Sequence, residues 1–192
     1  MEEESDYTGE VQVQHYLDLV RTDVGWDKLA AAVEKPLNGL RVAGYYGCTL
    51  LRPREVAIEA PDTPTLFNEF LAALGAEVVD FPEAQSCCSS YQILANQQAA
   101  YEASGKVLRS ATEHRAEAMV MSCPVCEYNL GRRQADVKAA QSGIETIPTF
   151  YFTQLLAVAL GLPAETLGLQ YNMEASVELL KSRNWVSEAS AA

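Results

Sequence analysis

Apolar residues along this chain come in two rhythms. Short runs rich in β-branched, aromatic or aliphatic residues, "LRVAGYY" (40–46), "EVVDF" (77–81), "EAMVM" (117–121) and "IETIP" (144–148), predict four strands. Between them the spacing turns helical. In "PTLFNEFLAALG", Leu66, Phe67, Phe70, Leu71 and Leu74 fall on one face, with Thr63 as N-cap, Pro64 in the first turn and Gly75 as the stop. Residues 90–115 and 125–141 predict two further helices, and "FTQLLAVALG" a fourth that ends at Gly161 before Pro163. Strand and helix alternating at these lengths predict an α/β fold: about four parallel strands flanked by helices. An amphipathic segment, "VQHYLDLV", precedes the first strand, and its apolar face is expected to need a cover, which makes 11–20 a candidate docking element. The expected division is an acidic arm and amphipathic segment over 1–38, one Rossmann-like domain over 39–184, and a frayed tail over 185–192 that ends in "SEASAA".

Composition narrows the function classes. The 192 residues carry 26 acidic and 14 basic side chains, a formal net charge of −12, and Glu2, Glu3, Glu4, Asp6 and Glu10 crowd the first ten positions. Nucleic acid and anionic membrane surfaces select the opposite sign. No apolar run reaches the roughly 20 residues of a membrane span, and the acidic start does not read as a signal peptide. The expected location is the cytoplasm, where stable disulfides are rare. The five cysteines are an odd number, so a pure disulfide framework would leave one over.

Those cysteines carry the strongest chemical signal. Cys48 follows the first strand, Cys87 and Cys88 sit in the loop after the second, and Cys123 and Cys126 follow the third. All five fall at the carboxyl ends of parallel strands, where open α/β sheets place their sites. Neighbouring strands are only ~4.8 Å apart, so residues remote in sequence converge there. A Cys-x-x-Cys pair taken alone is compatible with structural zinc, thiol redox or cluster binding. Five thiolates exceed the four ligands of a tetrahedral zinc or a cubane cluster, and adjacent Cys87 and Cys88 can present two sulfurs to different metal atoms. The flanking Gln85, Ser86, Ser89 and Ser90 describe a polar loop. The bland alternative is that one cysteine of the pair is simply buried.

The spacing C48–x38–C87C88–x34–C123–x2–C126, together with "PLNGLRVAGYYGCTLLRP", "SCPVCEYNL" and "PTFYFTQLLAVALGL", resembles the cysteine-rich CCG domain of the heterodisulfide reductase B subunit and its relatives, including complexes of sulfur oxidisers. The likeness runs from about Val11 to Gly168 and is to the C-terminal half of that subunit. It implies that Cys48, Cys87, Cys88, Cys123 and Cys126 hold a noncubane [4Fe–4S] cluster at the carboxyl ends of the strands. It further implies an oxidoreductase subunit that exchanges electrons with a disulfide or sulfur substrate. The implied partners are a ferredoxin-like iron–sulfur subunit, a flavin-bearing subunit and a second CCG-domain chain. Two departures stand out. Ser89 occupies the position of the motif glycine, so a positive φ there would carry strain of order 1–2 kcal/mol. And the chain has one cysteine set where its usual counterpart has two. A metal-free CxxC thiol–disulfide oxidoreductase and a noncatalytic scaffold holding structural zinc are the alternatives; iron and sulfide in the purified protein, visible as brown colour, separate them.

Other residues read as structural. His15 and His114 are expected to be surface or satisfied helix histidines, Tyr45, Tyr46 and Tyr91 packing residues, and Arg52 and Arg54 part of a solvated loop. "GYYG" (44–47) lacks the spacing of a dinucleotide fingerprint.

Overall fold

The computed structural model describes residues 8–186, so the acidic cluster at positions 2–6 and the terminal "SEASAA" lie outside it. Four strands form one sheet: β1 (Arg41–Tyr45), β2 (Glu77–Val79), β3 (Ala118–Met121) and β4 (Thr149–Tyr151), all parallel, in the order β2-β1-β3-β4. The helices are α1 (Tyr16–Leu19), α2 (Trp26–Ala31), α3 (Leu66–Ala73), α4 (Gln97–Glu113), α5 (Pro124–Glu127), α6 (Gln134–Ala140), α7 (Phe152–Ala159) and α8 (Glu174–Ser182). This is the α/β architecture that the alternation of patterns predicts.

The period of two along the central strands sorts the core into two layers. Val42, Ala118 and Val120 face one side, with Phe67, Phe70 and Leu71 of α3 and Leu155 and Val158 of α7. Ala43, Tyr45, Met119 and Met121 face the other, with Val107, Leu108 and Ala111 of α4 and Val137 of α6. Gly44 lets α3 come close: a Cβ there would stand 3.0 Å from Phe67 Cβ.

The structure shifts several expectations drawn from the sequence. The fourth strand is not "IETIP" but the three residues after it. Pro148 has no N–H to give a ladder; its carbonyl accepts from Met119 N (2.9 Å), and pairing proper begins at Thr149. Helix α3 starts at Leu66, two residues later than a Thr63 cap implies, because Glu59 Oε2 accepts from Leu66 N (3.1 Å). The helix expected over 90–115 splits into a 3-10 turn, Ser90–Gln92, and α4, which Asn96 caps by accepting from Ala99 N (3.1 Å). The one expected over 125–141 splits into α5, a π-helical turn Tyr128–Arg132, and α6.

Helix α8 has no counterpart among the predicted elements. Its buried Ser176 donates to Thr149 O (2.9 Å) and accepts from Thr149 N (3.0 Å), closing the edge strand β4. Trp185 and Val186, expected in the frayed tail, pack on the core. The amphipathic segment needs no partner for its buried face, since Leu17 and Val20 lie in the core and His15 stacks on Phe152. Its docking role loses that argument.

Candidate functional site

The order β2-β1-β3-β4 makes the chain reverse direction across the sheet between β1 and β3, and open sheets bind ligands at that switch point. Cys48 stands just beyond β1, and Cys123 and Cys126 just beyond β3. The loop after β2 is drawn to the same place by Ala84, whose carbonyl accepts from Tyr46 N (2.8 Å) and Gly47 N (3.2 Å). Gly47, at φ +63°, turns the chain into Cys48 beneath Cys126; a Cβ on it would stand 3.4 Å from Cys126 Sγ. All five sequence-predicted cysteines therefore meet at one end of the sheet, and all five are free thiols.

Within the site the adjacent pair diverges. Cys87 Sγ lies 3.7 Å from Cys48 Sγ, while Cys88 Sγ lies 3.5 Å from Cys126 Sγ. Cys88 and Cys126 are buried; Cys48, Cys87 and Cys123 are partly exposed. The divergence is set at Ser89, whose backbone is left-handed (φ 56°, ψ 32°). In that turn Ser89 N donates to Cys87 Sγ (3.3 Å), and the backbone N–H and hydroxyl of Ser90 serve Cys88. Successive amides turned toward one concavity favour negative charge.

The protonation pattern follows from these contacts. Cys126 donates to both Cys123 and Cys88, and those bonds, with burial, hold its own thiol protonated. Cys123 falls to about 5, first through the Cys126 bond and then through the amides of Cys126 and Val125 and the hydroxyl of Thr49. Cys88 falls to about 7, chiefly through the same Cys126 donor. Burial and the neighbouring Cys87 push Cys48 up.

Side chains that carry no signal in the sequence fix the loops. Asn129 Nδ2 (3.3 Å) and Ser104 Oγ (3.2 Å) both donate to the Cys88 carbonyl, and both residues are buried. Glu83 accepts from Ser86 and pairs with Lys106 of α4 (2.8 Å), and Lys106 first and Ser86 second hold its carboxyl below the usual range. Tyr45 is buried among the cysteines and donates to the Ser86 carbonyl; burial first, and then the sulfurs, keep its hydroxyl protonated. Asn129 and Ser104 look, in the sequence, like polar positions on helices.

Most of the residues read as structural behave so, but Tyr91, expected to pack, does not. Tyr46 accepts from Phe67 N (2.9 Å) at the start of α3, and Tyr91 is exposed. Arg52 reaches the Gln85 carbonyl (3.3 Å), and Arg54 pairs with Asp62 in solvent. His15 caps α1, and the His114 ring contacts Ser110 O (2.7 Å).

The donor set fits an iron–sulfur group in its chemistry. It is made only of thiols, two of them partly ionised, with amide hydrogens directed at sulfur. Among the described residues no three His, Cys, Asp or Glu side chains close around one ion-sized position; the thiols instead gather as Cys48 with Cys87, and as Cys88 and Cys123 with Cys126.

Comparison with known proteins agrees with this geometry. The CCG cysteine-rich domain matches residues 42–131, a span that contains all five cysteines. The chain is 33% identical over 168 residues to the membrane anchor subunit of the 8-methylmenaquinol:fumarate reductase of Wolinella succinogenes, covering 87% of this chain and 58% of that one. It is 29% identical over 178 residues to the B subunit of the ferredoxin/F420H2-dependent CoB-CoM heterodisulfide reductase of Methanosarcina acetivorans, covering 91% and 59%. A protein of Archaeoglobus profundus, described as like the heterodisulfide reductase B subunit, is 27% identical over 167 residues, covering 83% and 55%. The chain thus spans somewhat over half the length of these relatives, each named as a subunit of a reductase or as like one. A hypothetical protein of Helicobacter pylori shares the fold over 73% of this chain and 25% of its own, with a TM-score of 0.58 at 13% identity. No helix among the described residues is long and apolar enough to cross a membrane. The chain thus carries a cysteine-rich CCG domain over residues 42–131 and is similar, over most of its own length, to heterodisulfide reductase B subunits.

Proposed function

We propose that this protein is the iron–sulfur subunit of a heterodisulfide-reductase-like oxidoreductase, with Cys48, Cys87, Cys88, Cys123 and Cys126 as the ligands of a noncubane [4Fe–4S] cluster. The observation that carries the reading is the divergence of the adjacent pair, in which Cys87 turns to Cys48 and Cys88 to Cys126. Two sulfurs from neighbouring residues aimed at different thiols suit a group with more than one metal atom. They serve neither a single zinc nor a simple CxxC redox pair, which would leave Cys48 and Cys87 without a task. Such a cluster supplies one-electron exchange beside a sulfur substrate. The chain's own part would be to hold the group through these five thiols, which give up their protons on binding metal, with Cys88 and Cys123 already lowered, and to keep the paired loop fixed through Ser104 and Asn129.

In this reading electrons pass to or from a disulfide or sulfur compound, with a ferredoxin-like subunit, a flavin-bearing subunit and a second CCG-domain chain as partners in a cytoplasmic complex. The likeness to a quinol-linked fumarate reductase subunit supports a second reading, in which the same cysteine site serves a quinol-dependent reductase. The deciding experiment is anaerobic purification with iron, sulfide and zinc analysis and electron paramagnetic resonance. About four irons and four sulfides per chain, with a spectrum unlike a cubane, are expected. One persistent zinc without sulfide would refute the cluster. Perturbation of the spectrum by a disulfide, and not by a soluble quinol, separates the two reductase readings.

A further inference from the structure

A cleft of about 290 Å³ opens where the chain leaves β3 and β4, beside the thiols. Pro124, between the two cysteines of the CxxC turn, lines it, together with Tyr151, Tyr171, Glu127 and Arg132. Tyr151 connects it to the site: it pairs with Met121 of β3, two residues before Cys123.

The polar residues of this cleft are arranged at a cost. Glu127 and Arg132 are five apart, which on an α-helix sets two side chains roughly 140° out of line. The π turn Tyr128–Arg132 widens the helix and brings them together, so that Arg132 Nε lies 3.3 Å from Glu127 Oε2. The Tyr171 ring takes the other side of the guanidinium, with its carbon 5.6 Å from the ring centre. Glu127 pays in desolvation: Oε1 is buried without a hydrogen-bond partner among the described residues. The two terminal nitrogens of Arg132 have no hydrogen bond or ion pair among the described residues, so this cleft-lining residue keeps a planar pair of donors unused. A π turn, a buried carboxylate and an aromatic ring together hold one cation beside a reactive sulfur site; π turns of this kind recur at functional sites.

We propose that the cleft receives the arm of a sulfur substrate that ends in a carboxylate or a similar oxyanion, and that Arg132 recognises its anionic end. The proposal rests on the reading above that a sulfur compound is brought to the cysteine site. The cleft has room for a few-carbon arm, and the fork of a guanidinium matches an oxyanion in two bonds where a lysine makes a point contact.

The test is anaerobic calorimetric titration of the full chain with 3-(methylthio)propanoate and with its uncharged counterpart, 3-(methylthio)propan-1-ol. The acid is expected to bind more tightly than the alcohol. Arg132→Gln should weaken the acid about ten- to hundredfold, as loss of hydrogen bonds to a charged group does, and leave the alcohol unchanged, while Arg132→Lys recovers part of the loss. The double variant Glu127→Gln with Arg132→Gln removes the stranded carboxylate, and must show the same selective loss with wild-type melting temperature. No binding of the acid by the native protein, unchanged affinity in the variants, or equal weakening of acid and alcohol overturns the assignment. Iron and sulfide are measured on the same samples. Charge-selective binding without them would sink the cluster reading and leave the anion site standing; a full cluster without charge-selective binding does the reverse.

Discussion

At the scale of single residues, Ser89 shows strain kept at a functional turn. Its φ of 56° is the conformation that the family resemblance makes conditional on a missing glycine, and the Ser89 hydroxyl makes no hydrogen bond among the described residues to offset it. Left-handed backbone costs a non-glycine residue about 1–2 kcal/mol, and a glycine's extra unfolded-state freedom takes back part of that. Ser89→Gly is therefore expected to stabilise the protein by about 0.5 kcal/mol, a rise of ~1–2 °C in melting temperature, with the N–H bond to Cys87 retained; a fall would show that the hydroxyl matters. The Cys88 carbonyl offers a second case. Ser104 and Asn129 share it, so either loss alone leaves one donor, and the double loss leaves a buried acceptor bare. Denaturant unfolding of Ser104→Ala, Asn129→Leu and the pair should show the double variant more destabilised than the sum by about 1 kcal/mol; strict additivity would mean that the two bonds do not act on one loop. The cysteines were legible in the sequence because a thiol is rare and its spacing is informative. Asn129 and Arg132 were not, because on a helical pattern they read as solvated positions. Only the π turn after Glu127 shows which way they face.

At the scale of elements, the strands and helices that pack on both sheet layers were readable and the irregular ones were not. β1, β3, α3 and α7 carry enough buried apolar positions to set their own period. β4 is three residues long, and its start is decided by the absent N–H of Pro148, which a hydrophobicity pattern does not register. Helix α8 is amphipathic but weakly apolar, and much of its role is one hydroxyl, Ser176, on the edge of β4. One close joint between elements is that of β1 with α3 at Gly44. The contacting atom on α3 is Phe67 Cβ, which cannot rotate away, so Gly44→Ala must shift the helix from the sheet by a few tenths of an ångström. Overpacking of this kind costs about 1–3 kcal/mol. The loss should appear in chemical denaturation, and cysteine accessibility should rise with it, because Tyr46 links the start of α3 to the turn before Cys48. An alanine variant as stable as the parent would show that α3 has room to move.

At the scale of the whole molecule, the sheet order does the gathering. β1 stands between β2 and β3, so the loops that leave the three strands meet at one end, and residues 38 and 39 apart in sequence come within 3.5 and 3.7 Å. If the cysteines stand so in solution, the metal-free protein should be trapped in that arrangement by oxidation. Diamide takes two electrons and two protons from a pair of thiols, and sulfurs 3.5 Å apart need close by only about 1.5 Å to reach the bonded length. Peptide mapping after brief diamide treatment should find Cys48 joined to Cys87 and Cys88 joined to Cys126, and no bond between the adjacent Cys87 and Cys88, whose sulfurs point apart. Cys126 also contacts Cys123, so the Cys123→Ser variant, which removes that competitor, should give the Cys88–Cys126 link in higher yield. Loading with iron and sulfide beforehand should suppress every link, because the same thiolates would then be committed to metal. Links confined to Cys123 and Cys126, or formed only between molecules, would mean that the loop after β2 does not reach the switch point. The five-thiol site would then lose two of its members, and with them the reason for placing two cysteines side by side.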